Sequence, residues 1–291
     1  MLGFFSVVLA TFFWASDVLV RVPLLSKLSH GTIIFYEHLF LTIIFLPFLL
    51  KLFKKTQFYS VKSLACFIWI GSLGSAIGLF AFTKAFSIMN PSLVILLQQF
   101  QPVVAICLAA IVLKEQLTAK FLLGAFVCLA GGLLMAHEHI EALLSDSQIN
   151  ASFEGYLYAL GAAVIWGAST VFGKKIFLEN FGQLEITSGR FFFGLLAMIP
   201  IIFWGESKLT VKLEDYRSLA TIVLIGALGM VFYYQGLSRL RAKICTLAEM
   251  FYPLFGIALS WVYLDATLDI WQLTGGALLL TASLVIQWNR F

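Results

Sequence analysis

Long runs of apolar residues recur along the whole chain and are separated by short polar stretches. A helix needs about 20 mostly apolar residues to cross a bilayer. Within each run the apolar residues are continuous and do not alternate with polar ones, which favours helices over the strands of a membrane barrel. The pattern therefore predicts ten spanning helices, over residues 3–22, 32–51, 63–83, 91–113, 119–137, 154–174, 184–204, 217–238, 243–264 and 270–289.

The composition excludes the other broad classes of protein. Apolar residues make up 61% of the 291 residues and charged residues only 12%, against roughly 45–50% and about 25% in soluble domains. A soluble enzyme would need more polar surface, and a disordered chain would have fewer apolar residues. We therefore expect an all-α polytopic membrane protein.

Lysine and arginine near the span ends predict the orientation, because cytoplasmic loops carry an excess of both. If the amino terminus is cytoplasmic, the inner loops hold 12 of these residues and the outer loops 6. Both termini are then cytoplasmic in an inner membrane, and the polar loop His137–Ser152 faces the periplasm. The first apolar run lacks a basic leader and a cleavage site, so we expect it to be the first span.

The chain contains an internal repeat. Trp14 matches Trp166 and His38 matches Arg190, both at an offset of 152 residues. Each copy contains five spans, and because five is odd the second copy must be inverted in the membrane. Inverted repeats are typical of secondary transporters, with the substrate site near the midplane between the copies.

One stretch resembles a known family. Pro91–Leu134 contains a mid-helix proline, Pro102, then the Glu-x-x-Thr loop Glu115–Thr118 and a glycine-rich helix. In these features the chain resembles the drug/metabolite transporter superfamily, in its ten-helix EamA-type branch. Two positions depart from that pattern, since His38 stands where such repeats often have arginine and Ala266 where a loop glutamate is expected.

The resemblance implies two EamA-like repeats in a membrane transporter. Their expected bounds are 1–137 for the first repeat, 138–153 for a periplasmic loop and 154–291 for the second repeat.

Five ionisable residues lie inside predicted spans, where each costs about 2.5–3.5 kcal/mol. At ~1.5 Å per residue, Asp17, Glu37 and His38 form an outer layer, and Arg190 and Glu249 form an inner layer. Each layer could bind substrate. Alternatively, Glu37–His38 and Arg190–Glu249 are structural ion pairs.

Two related helices carry matched polar faces. Gln98 and Gln101 lie beside a proline on the fourth span, and Glu249 and Tyr252 lie beside one on the ninth. Prolines free backbone carbonyls, which spanning helices tolerate where they face a cavity or neighbouring protein. The match favours two walls of one pathway over simple helix–helix hydrogen bonding.

Trp14 and Trp166 lie well inside their spans. Trp14 shares a helix face with Asp17, a pairing that can bind an amine by cation–π contact and charge. In the alternative, Asp17 forms an i, i+4 pair with Arg21 and Trp14 is simply packed.

These observations predict a secondary transporter that moves a small polar metabolite by alternating access, and the family resemblance implies export of an amino acid or amine-like compound. The rival hypotheses are a facilitative carrier of nucleotide-like or anionic compounds, a non-transporting scaffold, and a membrane enzyme with Glu37–His38 as an acid–base pair. The candidate substrate-binding residues are Trp14, Asp17, Glu37, His38, Gln98, Gln101, Trp166, Arg190, Glu249 and Tyr252.

We expect no catalytic residue, metal or cofactor, because the sequence has no P-loop and no ligand cluster with distant members. The expected partners are the substrate and the lipid bilayer, without nucleic acid. Coupling to protons or ions and the oligomeric state stay open.

Overall fold

The computed structural model describes residues 2–113, 119–135, 137, 151–177, 179–204, 209–237, 239, 248–249 and 251–289. In this part of the chain every regular element is helical. A π-helical stretch over Trp69–Ile77 joins α4 to α5, and a 3-10 turn over Gln98–Phe100 joins α6 to α7. The α-helices are α1 (Leu2–Leu24), α2 (His30–Ile44), α3 (Leu46–Leu52), α4 (Val61–Ile68), α5 (Gly78–Phe86), α6 (Pro91–Leu97), α7 (Gln101–Leu113), α8 (Ala119–Met135), α9 (Ala151–Phe177), α10 (Gln183–Trp204), α11 (Tyr216–Leu237), α12 (Phe251–Leu264) and α13 (Ile270–Asn289).

These helices match the predicted spans in order. Among the described residues, five helical segments are long and apolar enough to cross a membrane, the bent pair α2–α3 makes a sixth, and four are shorter apolar helices. The ten-helix fold is therefore confirmed. Of the predicted loop 138–153, residues 138–150 lie outside the described residues, as does the whole Glu115–Thr118 motif, and residues 151–153 already belong to α9.

Two spans are broken where the sequence predicted continuous helices. The second span bends by 71° between α2 and α3, and Pro47 occupies the first turn of α3. Proline is tolerated there because the first turn needs no donor from it. In the fourth span the 3-10 turn comes directly before the turn that contains Pro102.

Side-chain caps determine where several spans begin. Ser29 accepts from the backbone N–H of Thr32 at the start of α2 (3.2 Å), and Asn90 accepts from that of Ser92 at the start of α6 (2.9 Å). Such caps satisfy donors that the first helical turn leaves unpaired.

The helix packing has the symmetry that an inverted repeat requires. The first span (α1) packs extensively on the eighth (α11), and the third (α4 to α5) packs on the sixth (α9). Exchanging the two copies converts one of these pairs into the other. The second span packs on the seventh and the fifth on the tenth, so each of these pairs maps onto itself.

Polar side chains also tie the two copies together at both ends of the bundle. At the end predicted to be cytoplasmic, Lys55 donates to the Glu185 carboxylate (2.6 Å) and the Asn180 carbonyl (3.2 Å), a group that we call the inner latch. At the opposite end Lys27 donates to Asp215 (3.1 Å), which we call the outer latch. The hydrogen bond to Asp215 raises the pKa of Lys27, which favours the charged form of this ammonium group.

At Ala266, where the family pattern has a loop glutamate, backbone carbonyl groups make the contacts of the loop. The Ala266 carbonyl accepts from the Ser92 hydroxyl (2.7 Å), and Asn90 donates to the carbonyl of the next residue, Thr267 (2.6 Å). Backbone oxygens therefore tie this loop to the start of α6.

Candidate functional site

Three charged side chains meet in the outer half of the bundle. Arg21 follows Asp17 by one turn of α1, and its Nε and Nη2 atoms both donate to that carboxylate. The same Nη2 atom donates to Glu37 of α2 (2.8 Å). We call Asp17, Arg21 and Glu37 the charged triad. The i, i+4 pair of Asp17 with Arg21, which the sequence offered as the alternative to an amine anchor, is therefore present. Arg21 lies in α1 and is only 2% exposed.

His38 belongs to a different contact set from Glu37. Its Nδ1 atom lies 2.9 Å from the Ile34 carbonyl oxygen, and its Nε2 atom lies 3.0 Å from the Ser75 hydroxyl. The predicted Glu37–His38 ion pair is therefore wrong. Consecutive residues of a helix point in different directions, so they do not face each other.

The π-helical stretch supplies an acceptor to two of the predicted site residues. The Gly74 carbonyl accepts from Trp166 Nε1 (2.8 Å) and from Arg190 Nη2 (3.3 Å). π-Helical turns inside α-helices are frequent at functional sites. The geometry brings the sixth, seventh and third spans together at one point.

The two tryptophans occupy equivalent places. A Cβ atom added at Gly78 would lie 2.7 Å from Trp166 Nε1, and one added at Gly229 would collide with Trp14 Nε1. Each indole therefore packs on a glycine of the helix it faces, in agreement with the repeat. The Trp14 ring also lies 5.2 Å from that of Tyr233.

Arg190 and Glu249 have separate partners. Arg190 contacts the Gly74 carbonyl and, by a side-chain hydrogen bond, Tyr234. Glu249 accepts from the Tyr233 hydroxyl (2.9 Å). The predicted Arg190–Glu249 ion pair is absent from the described residues. The adjacent tyrosines link the two groups instead, and sequence reasoning missed them although they lie together near the end of the eighth span.

The glutamines share a face, as predicted. Gln98 Nε2 donates to Gln101 Oε1 (2.6 Å), and Gln99, which the sequence did not single out, donates to Gln98 Oε1 (3.0 Å). The backbone of Gln101 packs against Gly167 of the sixth span. Tyr252 lies apart from this group, within electrostatic range of Asp17 and Arg21 of the charged triad.

Gln98 and Gln101 form a separate pair, and Trp14 packs on Tyr233. The other predicted site residues fall into an outer group, an inner group and a bridge. The outer group is the charged triad with Tyr252, and the inner group contains Arg190, Trp166, Glu249 and the paired tyrosines. His38 lies between them, within electrostatic range of both Arg21 and Arg190. The described residues contain no cluster of three or more side chains suited to a metal ion.

Comparison with known proteins identifies relatives along nearly the whole chain. The EamA-like transporter family matches residues 1–136 and again residues 153–288. The riboflavin transporter ImpX of Fusobacterium nucleatum is 28% identical over 300 residues, which cover 98% of this chain and 97% of that protein. An uncharacterized transporter of Bacillus subtilis, YyaM, is 23% identical over 82% of this chain and 78% of its own length. A protein of known crystal structure matches 98% of this chain and 94% of its own with a TM-score of 0.60, and at 17% identity it shows a shared fold.

Proposed function

Because the chain belongs to the EamA-like transporter family and is therefore a multi-pass membrane transporter rather than an enzyme, we propose that it carries a small polar metabolite with a planar ring. Riboflavin is the first compound to test, since a relative that covers nearly the whole chain is a riboflavin transporter. The two repeats would rock about the midplane to expose the site to each side in turn.

The observation that carries this proposal is the state of Arg190. Its Nε atom is buried without a hydrogen-bond partner, and within the described part of the chain it has no carboxylate partner. An arginine inside a membrane span is costly unless it is paired or lines a pathway. A substrate carbonyl oxygen would complete its bonding. The rings of Trp14 and Tyr233, which pack in the same apolar cluster as Tyr234, would suit a planar ring such as isoalloxazine.

The earlier preference for an amine loses its main support. The amine hypothesis used the Trp14 ring and the Asp17 carboxylate as the anchor. In the structure Arg21 binds both Asp17 and Glu37, so Asp17 is already engaged by a cation. An amine substrate would have to displace this guanidinium.

Transport by reconstituted protein tests the proposal. We expect saturable riboflavin uptake and counterflow in proteoliposomes, inhibited by flavin analogues and unaffected by amino acids, amines or dicarboxylates. Arg190→Lys, which keeps the charge but loses the planar fork, should raise KM strongly. Arg217→Lys at an exposed arginine of α11 is the matched control and should leave KM unchanged. Inhibition by amines alone would restore the amine hypothesis.

We also propose that both termini are cytoplasmic, on the basis of the 12-to-6 charge bias. Cysteines introduced by Lys54→Cys and Asp146→Cys should react with an impermeant thiol reagent from opposite sides of the inner membrane. Labelling from the same side would refute this orientation.

A further inference from the structure

The charged triad contains one more negative charge than positive charge. Arg21 supplies the one cation to two carboxylates, and Arg21 and Glu37 are 2% and 6% exposed. We propose that the triad is the site of the coupling ion, where Glu37 takes up one proton in each transport cycle. This inference rests on the proposed transport function and adds its energy source.

The bonding of Arg21 shows that the triad is not a saturated ion-pair network. Both carboxylates accept from Nη2, whereas Nη1 is buried and has no partner among the described residues. One N–H₂ group therefore serves both anions, with one hydrogen for each, and the triad keeps its excess negative charge. Burial of a carboxylate disfavours its charged form, so a proton is the ligand that balances the excess charge.

Glu37 is the carboxylate that the geometry selects. Asp17 accepts from two nitrogens of Arg21, and because the two residues are one turn apart on α1 their contact survives any movement of that helix. Glu37 accepts from one nitrogen of Arg21. Its side chain is also the more buried, 8% exposed against 16% for Asp17.

The groups around Glu37 leave the excess charge in place. His38, on the same helix, can satisfy both ring nitrogens while neutral, with Nδ1–H donating to Ile34 and Nε2 accepting from Ser75. Gly226 of α11 packs directly against Glu37 and carries no charge. Tyr252 approaches from α12, and Arg190 of α10 approaches on the far side of His38.

Protonation of Glu37 would change how the helices are held together. The Arg21–Glu37 bond joins α1 to α2, whereas α1 packs mainly on α11 and α12 and α2 mainly on α10. A proton taken from water by a Glu37 oxygen removes this ion pair, and Arg21 stays bound to Asp17. The outer ends of α1 and α2 can then separate, and closure requires the proton to return to water.

Proton-driven flux is the first test. With riboflavin at equal concentration on both sides of wild-type proteoliposomes, we expect a pH gradient to drive net flux, and a protonophore to abolish it. In Glu37→Gln, which mimics the protonated form, gradient-driven flux should be lost and exchange should no longer depend on pH. Glu37→Asp should keep a pH dependence, and Glu214→Gln at an exposed outer glutamate is the matched control with wild-type behaviour. Wild-type flux that ignores the gradient would overturn the proposal.

A second test needs no substrate and therefore separates this inference from the proposed function. Leu28, 8% exposed, packs in the apolar cluster at the outer ends of α1 and α2. In a cysteine-free background, Leu28→Cys should react with an impermeant thiol reagent about fivefold faster at acidic than at alkaline pH, after correction by the exposed control Ser26→Cys. The added Glu37→Gln change should make the reaction fast at every pH. A pH-independent rate in the wild-type background, or the same pH dependence with Glu37→Gln, would refute proton binding at Glu37.

Discussion

The inner latch is the contact whose loss should most directly change which face of the transporter is open. Lys55 donates to Glu185 and to the Asn180 carbonyl, and its ammonium group lies 5.5 Å from the centre of the Phe181 ring. These contacts join the loop after the second span to the loop after the sixth. Lys55→Met keeps the length of the side chain and removes the charge, so we expect the inner face to open more often.

The size of the effect follows from the exposure of the pair. Surface ion pairs contribute ~0.2–1 kcal/mol. The Lys55 and Glu185 side chains are 31% and 14% exposed, which indicates incomplete screening by solvent and places this pair near the upper value, about 1 kcal/mol. A change of that size shifts the ratio of closed to open inner faces about fivefold.

Cys66 provides a native reporter for this equilibrium. It is 5% exposed and belongs to the same apolar cluster as Phe58 and Phe181, next to the inner latch. With the other three cysteines replaced, Lys55→Met should raise the labelling rate of Cys66 about fivefold. Lys55→Met combined with Glu185→Gln should add little, because the two residues share one interaction. An unchanged rate in Lys55→Met, or fully additive effects, would refute a closing role for the latch.

Three further substitutions test contacts at His38 and at Glu249. Gly194→Ala would bring a methyl group against the His38 ring, so we expect the free energy of unfolding to fall by about 1–3 kcal/mol, with a lower Tm. Gly161→Ala is the control, because a Cβ atom there meets nothing within 4 Å. Equal Tm values for the two variants would contradict close packing at His38. Glu249→Gln should reduce transport sharply in a protein that still purifies as a stable species, and Tyr233→Phe should cause a smaller loss by removing the donor to Glu249. Normal transport in both variants would assign Glu249 a structural role.

The sequence predicted the spans well because their signal is strong and local. Each span is a run of about 20 apolar residues, and the tenth was predicted at the bounds that α13 has, Ile270–Asn289. The bend at Phe45 and the π-helical stretch were missed. Pro47 lies next to the bend, but a proline alone does not predict that a span is broken there. The π-helical stretch depends on how Gly74 packs against other spans, and the sequence of one segment does not contain that information.

The pairing of charges was harder to predict than their depth. Arg21 lies within one turn of the end of its span, and its pairing with Asp17 follows from their i, i+4 spacing. No spacing along the chain links Arg21 to Glu37, so Glu37 had only its neighbour His38 as a candidate partner. Tertiary contacts between α1 and α2 decided the pairing, and those cannot be read from spacing along one helix.

The helix packing is symmetric between the two copies, whereas the charged side chains are not. This difference explains how binding of one proton could open or close the outer face alone. The packing of a tryptophan on a glycine occurs in both copies. The charged triad occurs in the first copy alone, since the positions 152 residues later are Ser169, Gly173 and Gly189. Symmetry gives the inward-open and outward-open states similar packing. Packing alone therefore makes only a small difference between the free energies of the two states. A charge change confined to the outer half then shifts the balance between them, because it stabilises one state and has no counterpart in the other.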